Sequence, residues 1–181
     1  MKRIVSVAFA AGAALALSAV AAQAQVSVGV GGGVTIPTGD FGKATKTGWH
    51  GLANVGYSMP SGLGVRGDFY YGQNSFDGVS GKAKLAGGFG NILYSFSGAG
   101  SVHPYVLGSV GFINAKGEAS AGGISASASE TKIAFGGGAG IKFKAGTDSN
   151  IFLEGRYITV NTSGSNTNFI PITLGISFGL K

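Results

Sequence analysis

His50 and His103 are the two histidines of the chain, and a nucleophile–histidine–carboxylate site would need one of them as its base. His103 precedes Pro104 in a predicted turn, where we expect a solvated side chain. His50 follows Trp49 near the outer end of a predicted strand, and its side chain is expected to point inward. No serine and carboxylate stand at a spacing that would mark a triad with either histidine. The sequence therefore disfavours a hydrolase.

Metal and cofactor chemistry is not indicated either. The chain has no cysteine, and its histidines and carboxylates form no cluster with metal-ligand spacing. The glycine runs at 31–33 and 136–138 do not lead from a strand into a helix, so they do not match a phosphate-binding loop. Glycine at such places lets strands curve and leaves room inside a narrow barrel. We predict no enzyme activity, no metal site and no cofactor.

The remaining candidate for a functional site is a set of six charged residues. Each of them lies in a segment of alternating residues, on the side opposite to the apolar positions. They are Arg66, Asp68, Lys142, Lys144, Glu154 and Arg156. Successive side chains of a β-strand point to opposite faces of the sheet. Whether these charges meet therefore depends on how the strands are arranged.

The first and last alternating segments define the strand pattern. Between residues 26 and 36 the even positions are Val or Ile except at Gly32, and the odd positions are Ser, Gly or Thr. Between residues 170 and 180 the even positions are Ile, Leu or Phe, opposite to Pro, Thr, Gly and Ser. Such period-two alternation of apolar with small or polar residues is typical of a transmembrane β-strand.

Six further segments lie between these two, at 47–58, 63–72, 84–96, 104–114, 133–144 and 151–161, so the sequence predicts eight strands. The segments 84–96 and 104–114 are apolar on both faces, and their register stays open. The connections 59–62, 97–103 and 145–150 are short, whereas 37–46, 73–83, 115–132 and 162–168 are mostly longer. This alternation is typical of short periplasmic turns and longer outer loops. The longest loop, 116–130, is rich in Ala, Ser and Gly and is expected to be mobile.

The composition favours a membrane barrel. Charged residues make up 11% of the chain and glycine 35 of its 181 residues, whereas a soluble domain carries about 25% charged residues. No apolar run after residue 24 reaches the roughly 20 residues of a spanning helix, which leaves a closed barrel as the way across a membrane. The net charge of +6 is scattered without a basic, aromatic-interleaved cluster, so we predict no nucleic-acid partner.

The N-terminus has the organisation of a secretory signal. Met1-Lys2-Arg3 is basic, an apolar run extends to Val20, and Ala22-Gln23-Ala24 is a small-x-small cleavage site. We predict a cleaved signal peptide over 1–24 and one barrel domain over 25–181. A retained membrane anchor is the alternative. No cysteine follows the cleavage site, which argues against a lipoprotein.

Six stretches in a fixed order run through the barrel segment. They are GGGVTIPTGDF (31–41), NILYSF (91–96), PYVLGSVGF (104–112), FGGGAGIKF (135–143), EGRY (154–157) and IPITLGISF (170–178). In order and spacing they resemble the small eight-stranded outer-membrane barrels, the OmpA/OmpX and opacity-protein (surface-antigen) group. The resemblance agrees with the all-β, antiparallel, up-and-down transmembrane barrel predicted above. It implies the outer membrane of a Gram-negative bacterium as the location.

The C-terminal strand adds an assembly signal. Thr173, Gly175, Phe178 and Leu180 follow a polar-x-Gly-x-x-aromatic-x-apolar pattern. The pattern is similar to the signal by which the barrel-assembly machinery recognises its clients, although Lys181 follows where such proteins often end on the aromatic residue. The resemblance implies insertion by that machinery. We expect outer-membrane lipid and lipopolysaccharide as surroundings, a monomer, and a surface partner that the sequence does not identify.

The arrangement of the strands predicts where the charges meet. An eight-stranded barrel is just wide enough for side chains to fill, and isolated charges inside it would be costly. We therefore predict an interior network of Arg66, Asp68, Lys142, Glu154 and Arg156, with Lys144 nearer the rim. The predicted function is a structural or surface-interaction role with the lumen plugged by side chains. A narrow, porin-like channel is the alternative. A lipocalin-type ligand-binding barrel is disfavoured by the apolar outward face.

Overall fold

The computed structural model describes residues 25–78, 80–98, 100–121, 124–161 and 167–180. The predicted signal peptide, residues 1–24, lies outside the described residues. Within them the chain is almost entirely β-structure, as the alternating segments require.

Eight antiparallel strands form a closed barrel in chain order, because each strand pairs with the next and the last pairs with the first. This confirms the predicted fold class. The strands are β1 (Gln25–Thr38), β2 (Gly48–Ser58), β3 (Leu63–Ser75), β4 (Gly81–Ser95), β5 (Val102–Ala121), β6 (Ile124–Lys144), β7 (Ser149–Val160) and β8 (Thr167–Leu180).

The alternation of side chains separates an apolar outer surface from an inner one of small, polar and aromatic residues. On β8, Leu174 is 60% exposed while its neighbour Thr173 is 2% exposed. Val30 on β1, Ile133 on β6 and Leu153 on β7 likewise face outward. An outer surface of this kind is stable against lipid rather than water.

The two segments with an open register point their larger side chains inward. Leu85, Phe89 and Leu93 of β4 are buried, while Gly88 and Gly90 occupy outward positions between them. Tyr105 and Ile113 of β5 are also buried. These bulky residues fill the interior, which explains why apolar residues stand on both faces of β4 and β5.

The barrel has two different ends. The connections 59–62 and 145–148 lie at one end, together with the end of β4, the start of β5, the start of β1 and the end of β8; we call it the short-turn end. The ends of β1, β3, β5 and β7 lie at the other end, together with the starts of β2, β4, β6 and β8; we call it the extended end. In the short-turn connection between β2 and β3, Gly62 has φ 86°, a backbone conformation that favours glycine.

The extended end differs from the sequence-based prediction. β5 and β6 pair continuously from Val102↔Phe143 to Ala121↔Ile124, so the prediction of a loop is wrong for 116–121 and 124–130, whereas 122–123 lie outside the described residues. The alternating Ser and Ala of this region accept a strand as readily as a loop, and pairing with β4 as far as Ala119 holds β5 in place. The difference between the two ends therefore comes mainly from longer strands rather than from longer loops.

A short helix, α1 (Gly39–Ala44), follows β1 within the segment predicted as a loop. Phe41 packs against a cluster of buried apolar residues inside the barrel that includes Tyr70 and Phe169. Thr45 ends the helix, where its backbone N–H and its hydroxyl both donate to the carbonyl of Phe41. The helix thus covers part of the extended end. Among the described residues no helix is long and apolar enough to cross a membrane.

Candidate functional site: an ionic network inside the barrel

Two pairs of charged residues are placed inside the barrel by β3 and β7. Arg66 and Asp68 are two residues apart on β3, and Glu154 and Arg156 are two residues apart on β7. Residues at i and i+2 share one face of a strand, so each pair points into the lumen together. In a ring of eight strands β3 and β7 lie opposite one another. All four side chains are buried, and the two carboxylates are completely inaccessible.

Each arginine of the network binds both carboxylates. Arg66 donates from Nε to Asp68 Oδ1 at 2.8 Å and from Nη2 to Asp68 Oδ2 at 3.2 Å and Glu154 Oε1 at 3.0 Å. Arg156 donates from Nε to Glu154 and from Nη2 to Asp68. Two cations and two anions therefore compensate one another across the lumen. Charge-assisted hydrogen bonds of this kind are the strong ones, and arginine suits them because its guanidinium presents a planar fork of donors.

Neutral side chains from β4 and β5 complete the network. The hydroxyl of Tyr105 donates to Glu154 Oε2 at 2.7 Å. Asn91 donates to the carbonyl of Arg66 at 2.8 Å, and its own oxygen accepts from Ser109 at 2.6 Å and from Arg156 Nη1 at 3.3 Å. Sequence reasoning missed these three residues, because it left the register of β4 and β5 open. For Asn91 the signal in the sequence is its position two residues from both Phe89 and Leu93. All three share one face of β4, and that face points inward.

Lys142 does not join the network, although the sequence analysis placed it there. Its Nζ lies 5.1 Å from the centre of the Tyr105 ring, a cation–π contact. Among the described residues it forms no salt bridge with a carboxylate. The physical reason is that both oxygens of Glu154 already accept from Arg66, Arg156 and Tyr105. Lys144 lies nearer the rim of the short-turn end, where it is exposed.

A second polar layer surrounds His50, whose side chain is buried inside the barrel. Its Nδ1 hydrogen-bonds with the hydroxyl of Thr35 at 3.1 Å, and its Nε2 hydrogen-bonds with the hydroxyl of Thr173 at 2.8 Å. Thr35 also hydrogen-bonds with the hydroxyl of Tyr70 at 2.7 Å, and the Tyr70 ring stacks on the imidazole. No carboxylate of the described residues orients His50, so this geometry is not that of a catalytic triad.

An apolar cluster fills the interior between the ionic network and the extended end, beside the layer of His50. It consists of Tyr70, Leu85, Phe89, Ile113, Ala134, Ile158, Val160 and Phe169. Along β3 and β7 it follows directly after the network, since Tyr70 comes after Asp68 and Ile158 after Arg156. Among the described residues no group of histidine and carboxylate side chains could hold a metal ion.

The four residues of the predicted assembly signal divide between the two faces of β8. Thr173 points inward to His50, and Gly175 lies against the ring of Phe152, where a side chain would collide. Phe178 and Leu180 face outward and are exposed, at the positions paired with Val28 and Val26 of β1. The interior residues are thus tied to packing, whereas the outward pair is available for recognition.

Comparisons with known proteins give a consistent result. The sequence model of the outer membrane protein beta-barrel domain matches residues 7–180. Neisserial surface protein A has 16% identity and a TM-score of 0.67, over 87% of this chain and 99% of its own. A major outer membrane protein of Thermus thermophilus has 14% identity and a TM-score of 0.66, over 88% and 100%.

Ail, the attachment invasion locus protein of Yersinia pestis, has 20% identity and a TM-score of 0.56, over 87% of this chain and 97% of its own. At these identities the solved structures share the fold with this chain. No functionally curated protein matches the sequence. Because the family match covers nearly the whole chain, the protein belongs to the outer membrane protein beta-barrel domain family.

Proposed function

We propose that the chain is a non-conducting outer-membrane barrel that stabilises the cell envelope and presents its extended end to partners at the surface. One observation supports this most directly. The four buried charges of β3 and β7 reach across the lumen and satisfy one another through direct hydrogen bonds. An ion path along the axis would have to separate them. Removing one partner of such a buried pair typically costs about 3–5 kcal/mol, so separation is costly.

The surface role is supported by the shape of the extended end. β6 pairs with β7 only from Ala134 onward, while its pairing with β5 begins at Ile124. The hairpin formed by β5 and β6 therefore projects past the end of β7. In this family of folds the longer connections face outward from the cell and the short turns face the periplasm. The hairpin offers contact area outside the membrane.

We also propose phosphorylated lipid of the outer leaflet, such as lipopolysaccharide, as a partner of the barrel wall. Lys84 of β4 and Lys116 of β5 are directly opposite one another, and Lys82 is opposite Glu118. Glu118 accepts from Lys84 at 2.6 Å and from Lys116 at 2.8 Å. These four residues, the β4–β5 basic patch, carry a net positive charge just beyond outward apolar residues such as Phe112. A phosphate there would meet cations without entering the apolar band.

Delivery to the membrane forms part of the proposal. Residues 1–24 would direct export and be removed, and the outward pair Phe178 and Leu180, with Thr173 and Gly175, would be recognised by the assembly machinery. N-terminal sequencing of the protein from outer membranes tests the cleavage. A first residue other than Gln25 would contradict it.

A conductance experiment tests the closed lumen. Purified, refolded protein is added to planar lipid bilayers, and current is recorded under an applied voltage for the wild type and for Glu154→Ala. We expect no stepwise currents from the wild type, and small openings from the variant because its network is broken. Stepwise currents from the wild type would overturn the proposal and favour the narrow channel.

The lipid partner is tested by copurification. The double variant Lys84→Gln, Lys116→Gln is compared with Lys43→Gln, an exposed lysine of α1 that pairs with Asp40. We expect the double variant to retain less lipopolysaccharide per barrel than the wild type, and the control to retain the same amount. Equal retention by all three would contradict the assignment.

A further inference from the structure

A polar cavity opens at the short-turn end of the barrel. Its volume is about 300 Å³, and it is lined mainly by hydroxyl and amide side chains. The basic residues in its wall are Lys142, Lys144 and His103, and its acidic residue is Asp148. Since one water occupies about 30 Å³ of liquid, the cavity has room for a small polar molecule rather than a single ion.

Lys142 stands between this cavity and the ionic network. It belongs to the wall of the cavity and also lies beside Arg66 around a smaller void further inside. Its partner within the described residues is the Tyr105 ring, and its ammonium group forms no salt bridge with a carboxylate there. The network below it is already neutral and satisfied. Lys142 is therefore a cation without a direct salt bridge among the described residues, and its ammonium group is available to an anion bound in the cavity.

The rest of the wall suits an oxyanion. Lys142 and Lys144 are two residues apart on β6, so both belong to the inner face, and both line the cavity. Ser27, Ser58 and Ser177 add hydroxyl groups from β1, β2 and β8. Lysine binds phosphate as a point charge, and hydroxyl donors satisfy the remaining oxygens. With the carboxylate of Asp148 counted, Lys142 and Lys144 still leave the wall with a net positive charge, which favours an anionic ligand.

We infer that the cavity at the short-turn end binds a phosphate monoester or phospholipid headgroup, with Lys142 as the principal contact and Lys144 as the second cation. The inference goes beyond the proposed function, because binding at this end requires neither a conducting lumen nor a surface partner. The ligand chemistry is the phosphate group, which either a soluble periplasmic ester or an inner-leaflet lipid can supply.

The test is a titration with glycerol 3-phosphate. ¹⁵N-labelled, refolded protein is held in micelles of an amine-oxide detergent, which contains no phosphate, and the backbone amides of residues 142–150 are followed by two-dimensional NMR. Lys142→Gln is the test variant. Lys132→Gln is the matched control, because Lys132 lies on the same strand but pairs with Glu130 near the extended end.

We expect saturable shifts around the cavity in the wild type and in Lys132→Gln. In Lys142→Gln we expect a loss of affinity of roughly tenfold or more, because the charge-assisted hydrogen bond to the phosphate is lost. Gel mobility without heating verifies that each variant is folded. Shifts that do not saturate, that appear equally with sodium chloride at the same ionic strength, or that are unchanged in Lys142→Gln would overturn the inference.

A second arm distinguishes the two sources. The wild type and Lys142→Gln are compared in phospholipid nanodiscs without any soluble phosphate. If the lipid reproduces the shifts at the cavity in the wild type alone, a headgroup is the ligand. If the shifts appear only when glycerol 3-phosphate is added, the ligand is a soluble ester. If neither preparation gives shifts that depend on Lys142, the site does not bind phosphate.

Discussion

Glu154 is the residue whose removal leaves two buried cations with a single anion, Asp68, because Glu154 accepts from both Arg66 and Arg156. We expect Glu154→Ala to lower the free energy of unfolding by about 3–5 kcal/mol. Urea unfolding in lipid vesicles measures it, with the fluorescence of Trp49, the single tryptophan, as the signal.

The control for this prediction is Glu130→Ala. Glu130 forms an ion pair with Lys132 at 2.6 Å, but its side chain is 61% exposed. An exposed pair contributes about 0–1 kcal/mol, so the control should unfold nearly like the wild type. Similar losses in the two variants would mean that the interior charges are not the source of the effect.

Glu118 provides a prediction about pH at the extended end, beyond the apolar band. Hydrogen bonds from Lys116 and Lys84 lower the pKa of Glu118 from 4.5 to about 2. Since the folded pKa lies below the ordinary value, this carboxylate contributes stability above about pH 4.5, and the contribution is lost as the pH falls towards 2. The contribution is small because the group is exposed.

Carboxyl ¹³C NMR of the folded protein measures this pKa. In the wild type the Glu118 resonance should remain that of a carboxylate throughout the range from pH 7 to pH 4. In Lys116→Gln its midpoint should move upward, because the hydrogen bond from Lys116, the largest cause of the lowered pKa, is gone. An identical midpoint in the two proteins would contradict the assigned cause.

At the scale of the strand, β8 tests the facing of the barrel wall. Leu174 is exposed on the outer face, and its neighbour Thr173 is buried and bonded to His50. We expect Leu174→Arg to destabilise the folded barrel by about 2–4 kcal/mol in a bilayer. Thr173→Ser should cost much less, because the hydroxyl is retained. Urea unfolding in vesicles compares them, and equal effects would show that the facing is wrong.

Two neighbouring glycines of β6, Gly136 and Gly137, test whether glycine is required where another strand lies too close for a side chain. A Cβ on Gly136 would collide with the carbonyl oxygen of Tyr157 on β7, whereas a Cβ on Gly137 would meet nothing closer than 3.5 Å. We expect Gly136→Ala to cost about 1–3 kcal/mol, because the strand must shift. Gly137→Ala should be close to neutral. The same unfolding assay applies, and a neutral Gly136→Ala would contradict the contact.

The strands were the most predictable part of the molecule. Lipid outside and a crowded lumen inside impose opposite demands on alternate residues, so the pattern at 26–36 and 170–180 predicted strand, facing and fold together. In β4 and β5 the pattern did not reveal the facing. The interior layer around Ile113 requires large apolar side chains on the inner face, and lipid favours apolar side chains on the outer face as well. The hairpin beyond residue 116 was missed because its small residues resemble a flexible loop until pairing is known.

The candidate site was predictable to a different extent. Period two placed Arg66, Asp68, Glu154 and Arg156 on the inner face, and the ring of strands brought β3 opposite β7. The separate position of Lys142 depends on Tyr105, which had no assigned face in the sequence analysis. The number of hydrogen bonds that Glu154 can accept also decides it, and that is a property of the assembled network.

At the scale of the whole molecule, closure of the barrel by the pairing of β8 with β1 should be detectable by gel electrophoresis. All eight strand pairs are formed, including β8 with β1, so no edge is open to detergent. We expect the protein from outer-membrane fractions to migrate differently with and without boiling in dodecyl sulfate. Identical mobility before and after boiling would contradict a closed barrel.

The seam between β1 and β8 also governs how the protein can be made. Thirteen residue pairs join the first strand to the last, from Val26↔Leu180 to Thr38↔Asn168. Contacts so distant along the chain are slow to form, because the closure entropy of the long intervening segment must be overcome first. Until β8 has been synthesised and docked, β1 and β7 both expose unpaired backbone, which invites aggregation. Because β8 is synthesised last, the barrel can close only at the final step. The unfolded chain must therefore be kept from associating with other unfolded copies until β8 has been made.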